Sequence, residues 1–171
     1  MVGTLIAAGH PELVRTLTVT GSGFSSAGYV AGLVEDLVSL PSDDDELALF
    51  AALYAQASPD GPEHFPEVWD KVRTMWAEQF DWTDQVERIQ APTLVIVGDD
   101  DFIRVEHAVE FSKLVDHGQL AVVPGTSHAL PMEKPDPVTV SVRTSSGCSA
   151  AMRVPTIPPS LHPTRSTGPR P

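Results

Sequence analysis

A continuous apolar run in the second half of the chain restricts the possible folds most. Residues 93–97 (TLVIV) follow Pro92, end at Gly98 and show no alternation of polar and apolar side chains. A strand with one solvent-facing side alternates, so this run is typical of a strand buried on both faces of a parallel sheet. A helical stripe over residues 108–115 and a second apolar strand over 120–123 follow it. This strand–helix–strand order predicts an α/β fold.

The part of the chain before this strand divides into two kinds of sequence. Residues 1–9 predict the end of a helix, and residues 15–19 (RTLTV) predict a strand that ends in a glycine turn. Residues 27–89 instead carry apolar side chains at helical spacing, with Ser42 and Thr83 as predicted N-caps. We therefore interpret residues 1–26 and 91–136 as parts of one sheet core, and residues 27–90 as a helical cap inserted between its strands.

The charge of the chain divides at Asp136. The 171 residues have a formal net charge of −12, but residues 1–136 hold all 23 acidic residues against seven Lys or Arg, a charge of −16. Residues 137–171 hold four Arg and no acid, together with seven Pro and eleven Ser or Thr. Only residues 138–142 (VTVSV) have the pattern of a weak strand. Residues 137–171 are therefore predicted to be a disordered basic tail.

Composition also argues against several classes of protein. An acidic body does not suit nucleic acid as a partner, and no apolar run reaches the 18 residues of a membrane span. The first residues lack the basic region of a signal peptide, and Cys148 is the single cysteine, so no intrachain disulfide is predicted. The acidic run 99–101 has no calcium-loop spacing around it, so we predict no metal site. We expect a cytoplasmic protein that uses no cofactor.

Two residues follow the ends of the predicted core strands and have the chemistry of an acid–base pair. Asp101 comes shortly after the 93–97 strand, and His128 comes shortly after the 120–123 strand. Functional residues of such sheets gather at the carboxyl ends of the strands. A carboxylate there can accept a hydrogen bond from Nδ1–H of an imidazole, which leaves Nε2 as a base. The 98–101 segment also fits an ordinary polar turn, so spacing alone leaves both interpretations open.

Longer segments surround these two residues: PTLVIVGDDD, EHAVEFSKLV and LAVVPGTSHALPMEKPD, with GHPELVRTLTVTG near the start of the chain. Together they resemble the C-terminal half of α/β-hydrolase-fold enzymes, over residues 1–136. The resemblance implies a partial α/β-hydrolase fold, with Asp101 as the triad acid and His128 as the triad histidine. It further implies that the parent activity is hydrolysis of an ester-like bond in a small molecule.

The same resemblance predicts a nucleophile on a sharp G-x-S-x-G turn that precedes the acid and the histidine in the chain. That turn would lie just before Met1, so we expect a catalytically incomplete chain. Residues 125–129 (GTSHA) imitate the motif but follow the last strand, and Ser22 in the 21–23 GSG segment has the wrong spacing. We interpret Ser22 and Ser127 as turn residues.

Two functions therefore stay open. The chain is either an inactive part or one half of a split hydrolase, or a non-catalytic ligand-binding or interaction protein. Related enzymes continue after E-K-P-D with an amphipathic helix, and that pattern stops near Asp136. We therefore hypothesise a frameshift or misassigned end there and a truncated start at Met1. The edge of a truncated sheet also predicts self-association.

Other candidate residues have simpler interpretations. The three tryptophans, Trp69, Trp76 and Trp82, fit either an acyl pocket beneath the cap or the core of the cap itself. His107 and His117 are predicted to be surface residues on and after a helix.

Overall fold

The computed structural model describes residues 1–145, with side chains as far as Val142. Within this range three strands and eight α-helices follow one another, with short 3₁₀ turns between some of them. Their order is α1 (Val2–Gly9), β1 (Leu17–Thr20), α2 (Leu33–Ser39), α3 (Ala48–Ala57), α4 (Phe65–Ala77), α5 (Thr83–Val86), β2 (Thr93–Gly98), α6 (Val105–Leu114), β3 (Gly118–Val123), α7 (Leu130–Glu133) and α8 (Pro135–Ser145). The prediction for residues 146–171 lies outside the described residues.

The three strands form one parallel sheet in the order β1-β2-β3, so β2 is central. Val19 of β1 is level with Val95 of β2, which is level in turn with Leu120 of β3. All six residues of β2 are buried, because a strand lies along each side and helices cover both faces. The predicted doubly buried strand is therefore confirmed, and so is the α/β fold.

Alternate side chains of β2 enter two separate apolar clusters. On one face Val95 packs in a cluster with Ala7 of α1 and Phe111 of α6. On the other face Ile96 packs with Leu130 of α7 and with residues of α8. Successive strand residues point to opposite faces, so an unbroken apolar run is what this two-sided packing requires.

Helix α8 corrects the prediction that residues 137–171 are disordered and that 138–142 tends to a strand. Residues 137–145 are helical, and Val138 is 7% exposed where it packs on the sheet, with Val142 partly buried beside it. A spacing of four residues puts these two valines on one helical face. Composition did not reveal this helix, because Val, Thr and Ser form one only when tertiary contacts bury its apolar face. The helical continuation that we expected to stop near Asp136 is present as far as Ser145.

Helices α2, α3 and α4 lie outside the sheet layers. The indole N–H of Trp69 donates to the carbonyl oxygen of Leu40 over 2.9 Å, which ties α4 to the end of α2. No residue of α3 is buried. Among residues 1–145, no helix is both long enough and apolar enough to cross a bilayer.

The start of α3 and the start of α5 differ from the predicted caps. Before α3, Asp44 caps the 3₁₀ turn Asp45–Leu47, where it accepts a hydrogen bond from the backbone N–H of Glu46 over 3.0 Å. Asp81 accepts from both the backbone N–H and the hydroxyl of Thr83, over 2.9 and 2.6 Å. In both places the carboxylate of an aspartate satisfies N–H groups at the helix start that a hydroxyl was predicted to satisfy.

Candidate active site

The parallel sheet brings Asp101 and His128 together. Asp101 lies three residues beyond β2, and His128 lies five residues beyond β3. Neighbouring parallel strands end at the same edge of a sheet, so the loops that follow them meet there. Nδ1 of His128 is 2.9 Å from Oδ1 of Asp101. The contact between Asp101 and His128 that we expected from the strand ends is therefore present as a direct hydrogen bond.

The carboxylate of Asp101 is fully buried and held in a fixed orientation. Its side chain has 0% exposure. Oδ1 also accepts the backbone N–H of Ile103 over 3.1 Å, whereas Oδ2 has no hydrogen-bond partner within the described part of the chain. A buried carboxylate requires hydrogen-bond partners for its charge, and the imidazole of His128 donates one of the two hydrogen bonds that Oδ1 accepts.

A carboxylate only accepts hydrogen bonds, so Nδ1 of His128 carries the proton in this pair. The neutral ring then has Nε2 as an acceptor, the tautomer that a general base requires. The side chain of His128 is 43% exposed, so the ring has access to solvent on one side. Its face stacks on Phe102, with ring centroids 3.7 Å apart and an interplanar angle of 28°.

The loops that carry the pair are locked to each other by the remaining aspartates of the acidic run. Oδ1 of Asp99 accepts the backbone N–H of Thr126 over 3.2 Å, and the N–H of Asp100 donates to the Thr126 carbonyl over 3.0 Å. A β-carbon at Gly98 would lie 2.3 Å from that same carbonyl oxygen, so only glycine allows the loops to approach this closely. The acidic run is thus a structural turn and, at Asp101, part of the candidate site.

Gly21, which directly follows β1, packs against both Asp101 and His128. Its φ is +54°, and its N–H donates to the carbonyl of Ile96 over 2.9 Å. A β-carbon there would lie 2.8 Å from Nδ1 of His128 and 3.2 Å from Oδ2 of Asp101. Sequence analysis identified this glycine only as part of a turn, because nothing local indicates that a distant histidine packs against it.

Aromatic rings extend from the pair towards α4. Phe102, which stacks on His128, is followed by Tyr29 at 6.3 Å and Trp76 at 6.4 Å between ring centroids. Tyr29 and Trp76 stack on each other at 5.8 Å. Burial in this cluster raises the pKa of the Tyr29 hydroxyl.

A cavity of about 160 Å³ adjoins these rings. Trp76 and Trp82 line it together with Tyr29 and Phe80, whereas Asp101 and His128 are not among its lining residues. The tryptophans were predicted to line a pocket or to form the core of the cap, and Trp76 and Trp82 line a pocket. Trp69 instead has the structural bond to the end of α2 described above.

Ser127 forms its hydrogen bonds with Glu133 and Ala129 rather than with the imidazole of His128. Its hydroxyl donates to Oε1 of Glu133 over 2.7 Å and its backbone N–H donates to Oε2 over 2.9 Å. The same hydroxyl accepts the N–H of Ala129 over 3.1 Å. These bonds fit the predicted turn role, and they orient Ser127 towards α7.

His107 was predicted to be a surface residue, and this is wrong. It is 1% exposed, because its helix face turns towards the loop that follows β1. His117 is exposed, as predicted. In residues 1–145 no three His, Cys, Asp or Glu side chains are grouped so that they could hold a metal ion.

Solved structures that are similar to this chain in fold include several hydrolases. A hydrolase from Pseudomonas aeruginosa matches with a TM-score of 0.60 and 17% identity, covering 86% of this chain and 61% of that one. A serine hydrolase involved in carbazole degradation gives 0.61 and 24% identity, covering 85% and 58%. An α/β-hydrolase enzyme from a deep-sea metagenome library of the Medee basin gives 0.57 and 18%, covering 89% and 63%. No protein-family model and no curated protein matches the chain.

The chain spans about three fifths of the length of these structures. At this level of identity the likeness concerns the fold, which hosts many activities. The parallel three-stranded sheet with helices on both faces and the match to α/β-hydrolase structures agree with the sequence motifs. The chain therefore has a partial α/β-hydrolase fold.

Proposed function

We propose that Asp101 and His128 are the acid and the base of a nucleophile–His–Asp triad that hydrolyses an ester-like bond in a small molecule. The observation that carries this proposal is the 2.9 Å bond between Nδ1 and the carboxylate of a fully buried aspartate. The similarity of the fold to a serine hydrolase supports it.

The proposed chemistry follows from the tautomer. Nε2 of His128 takes the proton of the nucleophile, and the buried charge of Asp101 stabilises the imidazolium that forms. The nucleophile bonds to the carbonyl carbon, and the proton passes from Nε2 to the leaving oxygen as the ester bond breaks. Water then repeats the two steps and releases the acid.

In this proposal the nucleophile and the oxyanion-hole N–H groups come from a segment other than residues 1–145. Ser127, the serine adjacent to His128, is bound to Glu133 instead. Helices α2, α3 and α4 are the cap in this scheme, whereas Val86 of α5 and Ile89 pack in the core beside the sheet. The cavity beside Trp76 receives the apolar part of the substrate. We expect the isolated chain to have no triad-type activity, because in this proposal another segment supplies the nucleophile and the oxyanion-hole N–H groups.

Complementation tests this proposal. The rate of p-nitrophenyl acetate hydrolysis is measured for the chain alone, and for the chain co-expressed with the N-terminal half of a structurally similar serine hydrolase. We expect background rates for the chain alone and turnover for the pair, reduced by about 10³-fold or more in His128→Ala and Asp101→Ala. His117→Ala, on an exposed histidine, is the matched control. Turnover by the chain alone that both site variants abolish would contradict the proposed inactivity, and turnover of the pair that survives His128→Ala would contradict the triad.

A second candidate function is the binding of an apolar ligand without catalysis. The cavity lined by Trp76 and Trp82 favours it, because aromatic walls bind flat apolar molecules. Binding of 1-naphthyl acetate, followed by quenching of tryptophan fluorescence, is expected to weaken in Trp76→Ala and to be unchanged in His128→Ala. If complementation gives no turnover while this binding persists, the binding function is preferred.

A further inference from the structure

The loop of residues 22–28 connects β1 to the helical segment, and other elements hold it through its backbone. The carbonyl of Phe24 accepts the N–H of Trp82 over 2.9 Å, and the N–H of Ser26 donates to the Phe80 carbonyl over 2.9 Å. The Arg104 guanidinium donates to the carbonyl of Ala27 over 2.8 and 3.2 Å. A further polar group of this backbone, an N–H, is satisfied by a histidine side chain.

That side chain is His107 of α6. The backbone N–H of Phe24 donates to its Nε2 over 3.1 Å. A backbone N–H can only donate, so Nε2 is an unprotonated acceptor and the proton of the neutral ring is on Nδ1. Nδ1 lies 3.6 Å from Oε2 of Glu110 on the next turn of the helix.

The loop closes tightly around the imidazole. The ring of Phe24 stacks on it with centroids 4.0 Å apart and an interplanar angle of 15°. A β-carbon at Gly28 would lie 2.3 Å from Cδ2 of His107, and one at Gly23 would lie 3.2 Å from Nε2. The absence of a side chain at both glycines therefore makes room for the imidazole. Little space is left for the ring to rotate if its hydrogen bond to Phe24 is lost.

The loop also reaches the candidate active site at both ends. Gly21 precedes it and packs against Nδ1 of His128. Tyr29 follows it, pairs through its backbone with Ile103 and stands beside Phe102, the ring that stacks on His128. If the loop moves away from α6, the imidazole of His128 therefore loses packing contacts on two sides, at Gly21 and at Phe102.

We propose that His107 is a positioning residue for the Asp101–His128 pair: as a neutral acceptor it holds the 22–28 loop against α6, and its protonation releases the loop. Protonated Nε2 is a donor that faces the donor N–H of Phe24, so the bond cannot survive. The inference concerns a group outside the proposed triad and does not depend on hydrolysis taking place.

The charges around His107 set the pH at which this occurs. Glu110 on the same helix and Asp81 before α5 favour the protonated imidazole, whereas Arg104 opposes it. Lys113 lines the surface groove onto which His107 opens. Burial outweighs the carboxylates and lowers the pKa of His107 below its ordinary range. The loop is therefore expected to be closed at neutral pH and to open below the pH at which an ordinary histidine titrates.

Hydrogen exchange at the Phe24 amide tests the proposal on the full chain. Exchange is measured by NMR from pH 7.5 to pH 5 and corrected for the intrinsic pH dependence of amide exchange. We expect protection of Phe24 to fall at least about tenfold on acidification, while the Gly21 amide, which bonds to a carbonyl, keeps its protection. The ring resonances of His128 are expected to shift together with the loss at Phe24.

Two variants separate protonation from general acid destabilisation. His107→Gln keeps a neutral acceptor that does not titrate, so its Phe24 protection is expected to be independent of pH. Glu110→Gln removes an exposed carboxylate that favours the cation, so the pH midpoint is expected to move down without loss of the fold. An unchanged midpoint in Glu110→Gln, or a wild-type Phe24 protection that depends on pH no more than that of His107→Gln, would overturn the proposal.

Discussion

The α-carbon of Gly21 lies so close to the imidazole of His128 that a β-carbon on it would be 2.8 Å from Nδ1. Gly21 directly follows β1 and His128 follows β3, so the loops after the two outer strands meet at the carboxyl end of the central strand. The glycine also has a φ of +54°, a conformation that other residues adopt at a cost. It therefore satisfies a backbone requirement and a packing requirement at once.

Substitution Gly21→Ala is expected to displace His128 and to destabilise the chain by about 2 kcal/mol, from the left-handed backbone and the clash together. Urea unfolding measures the free energy, and NMR of the imidazole measures the loss of the Nδ1 hydrogen bond. Gly9→Ala is the matched control, because nothing lies within 4 Å of a β-carbon there. Equal stabilities of the two variants would show that the close approach is absent in solution.

Substitution Asp101→Ala is expected to remove the preference of His128 for the Nδ1–H tautomer. The buried carboxylate accepts that proton over 2.9 Å, and free imidazole has no such partner. Long-range ¹H–¹⁵N NMR of the ring at pH 8 identifies the tautomer. Asp100→Ala is the control, since the side chain of Asp100 is exposed and its backbone makes the bond to Thr126. A tautomer that is the same in both variants would contradict the pairing.

Acidification is expected to destabilise the chain partly through His107. Its folded-state pKa is lowered by burial, so the unfolded chain binds the proton at a higher pH, near the ordinary value of about 6.5. The contribution is complete above that pH and is lost as the pH falls towards the lower folded-state pKa. Urea unfolding between pH 7.5 and 5 is expected to give a shallower loss of stability for His107→Gln than for the wild type. Parallel curves would contradict the burial of this histidine.

Substitution Val138→Ala tests the packing of α8 on the sheet. Val138 is buried among Leu94, Ile96 and Leu130, and removal of its methyl groups is expected to cost about 1–2 kcal/mol. Val140→Ala on the same helix, with 62% exposure, is expected to change the free energy of unfolding by less than about 0.5 kcal/mol. If both variants unfold like the wild type, the helix does not contact the sheet in solution.

The edge of β1 is expected to cause self-association of the purified chain. The N–H groups of Leu17 and Gly21 donate towards β2, so by alternation the N–H of Thr18 points away from the sheet. Thr18→Pro removes that outward donor without breaking a bond of the sheet and is expected to shift the chain towards monomer. Light scattering after size exclusion measures the mass, with Thr18→Val as the control that keeps the donor. A monomeric wild type would contradict the expectation.

The sequence predicted the features that depend on local pattern. The apolar run over 93–97 identified a doubly buried strand, because periodicity follows directly from which faces are covered. Asp101 and His128 became candidates because parallel strands end at a common edge, and the resemblance to α/β-hydrolases favoured the pair over an ordinary polar turn. Helix α6 was likewise visible in its apolar stripe.

Only the tertiary structure decided the features that depend on distant partners. Phe24 and His107 bond across 83 positions, and the burial of the imidazole exists only because the 22–28 loop folds over α6. Helix α8 forms where a sheet buries Val138, although its composition favours no regular structure. Gly21 became part of the candidate site only when the fold brought His128 against it. Local sequence determines which faces must be covered, and the packed chain determines what covers them.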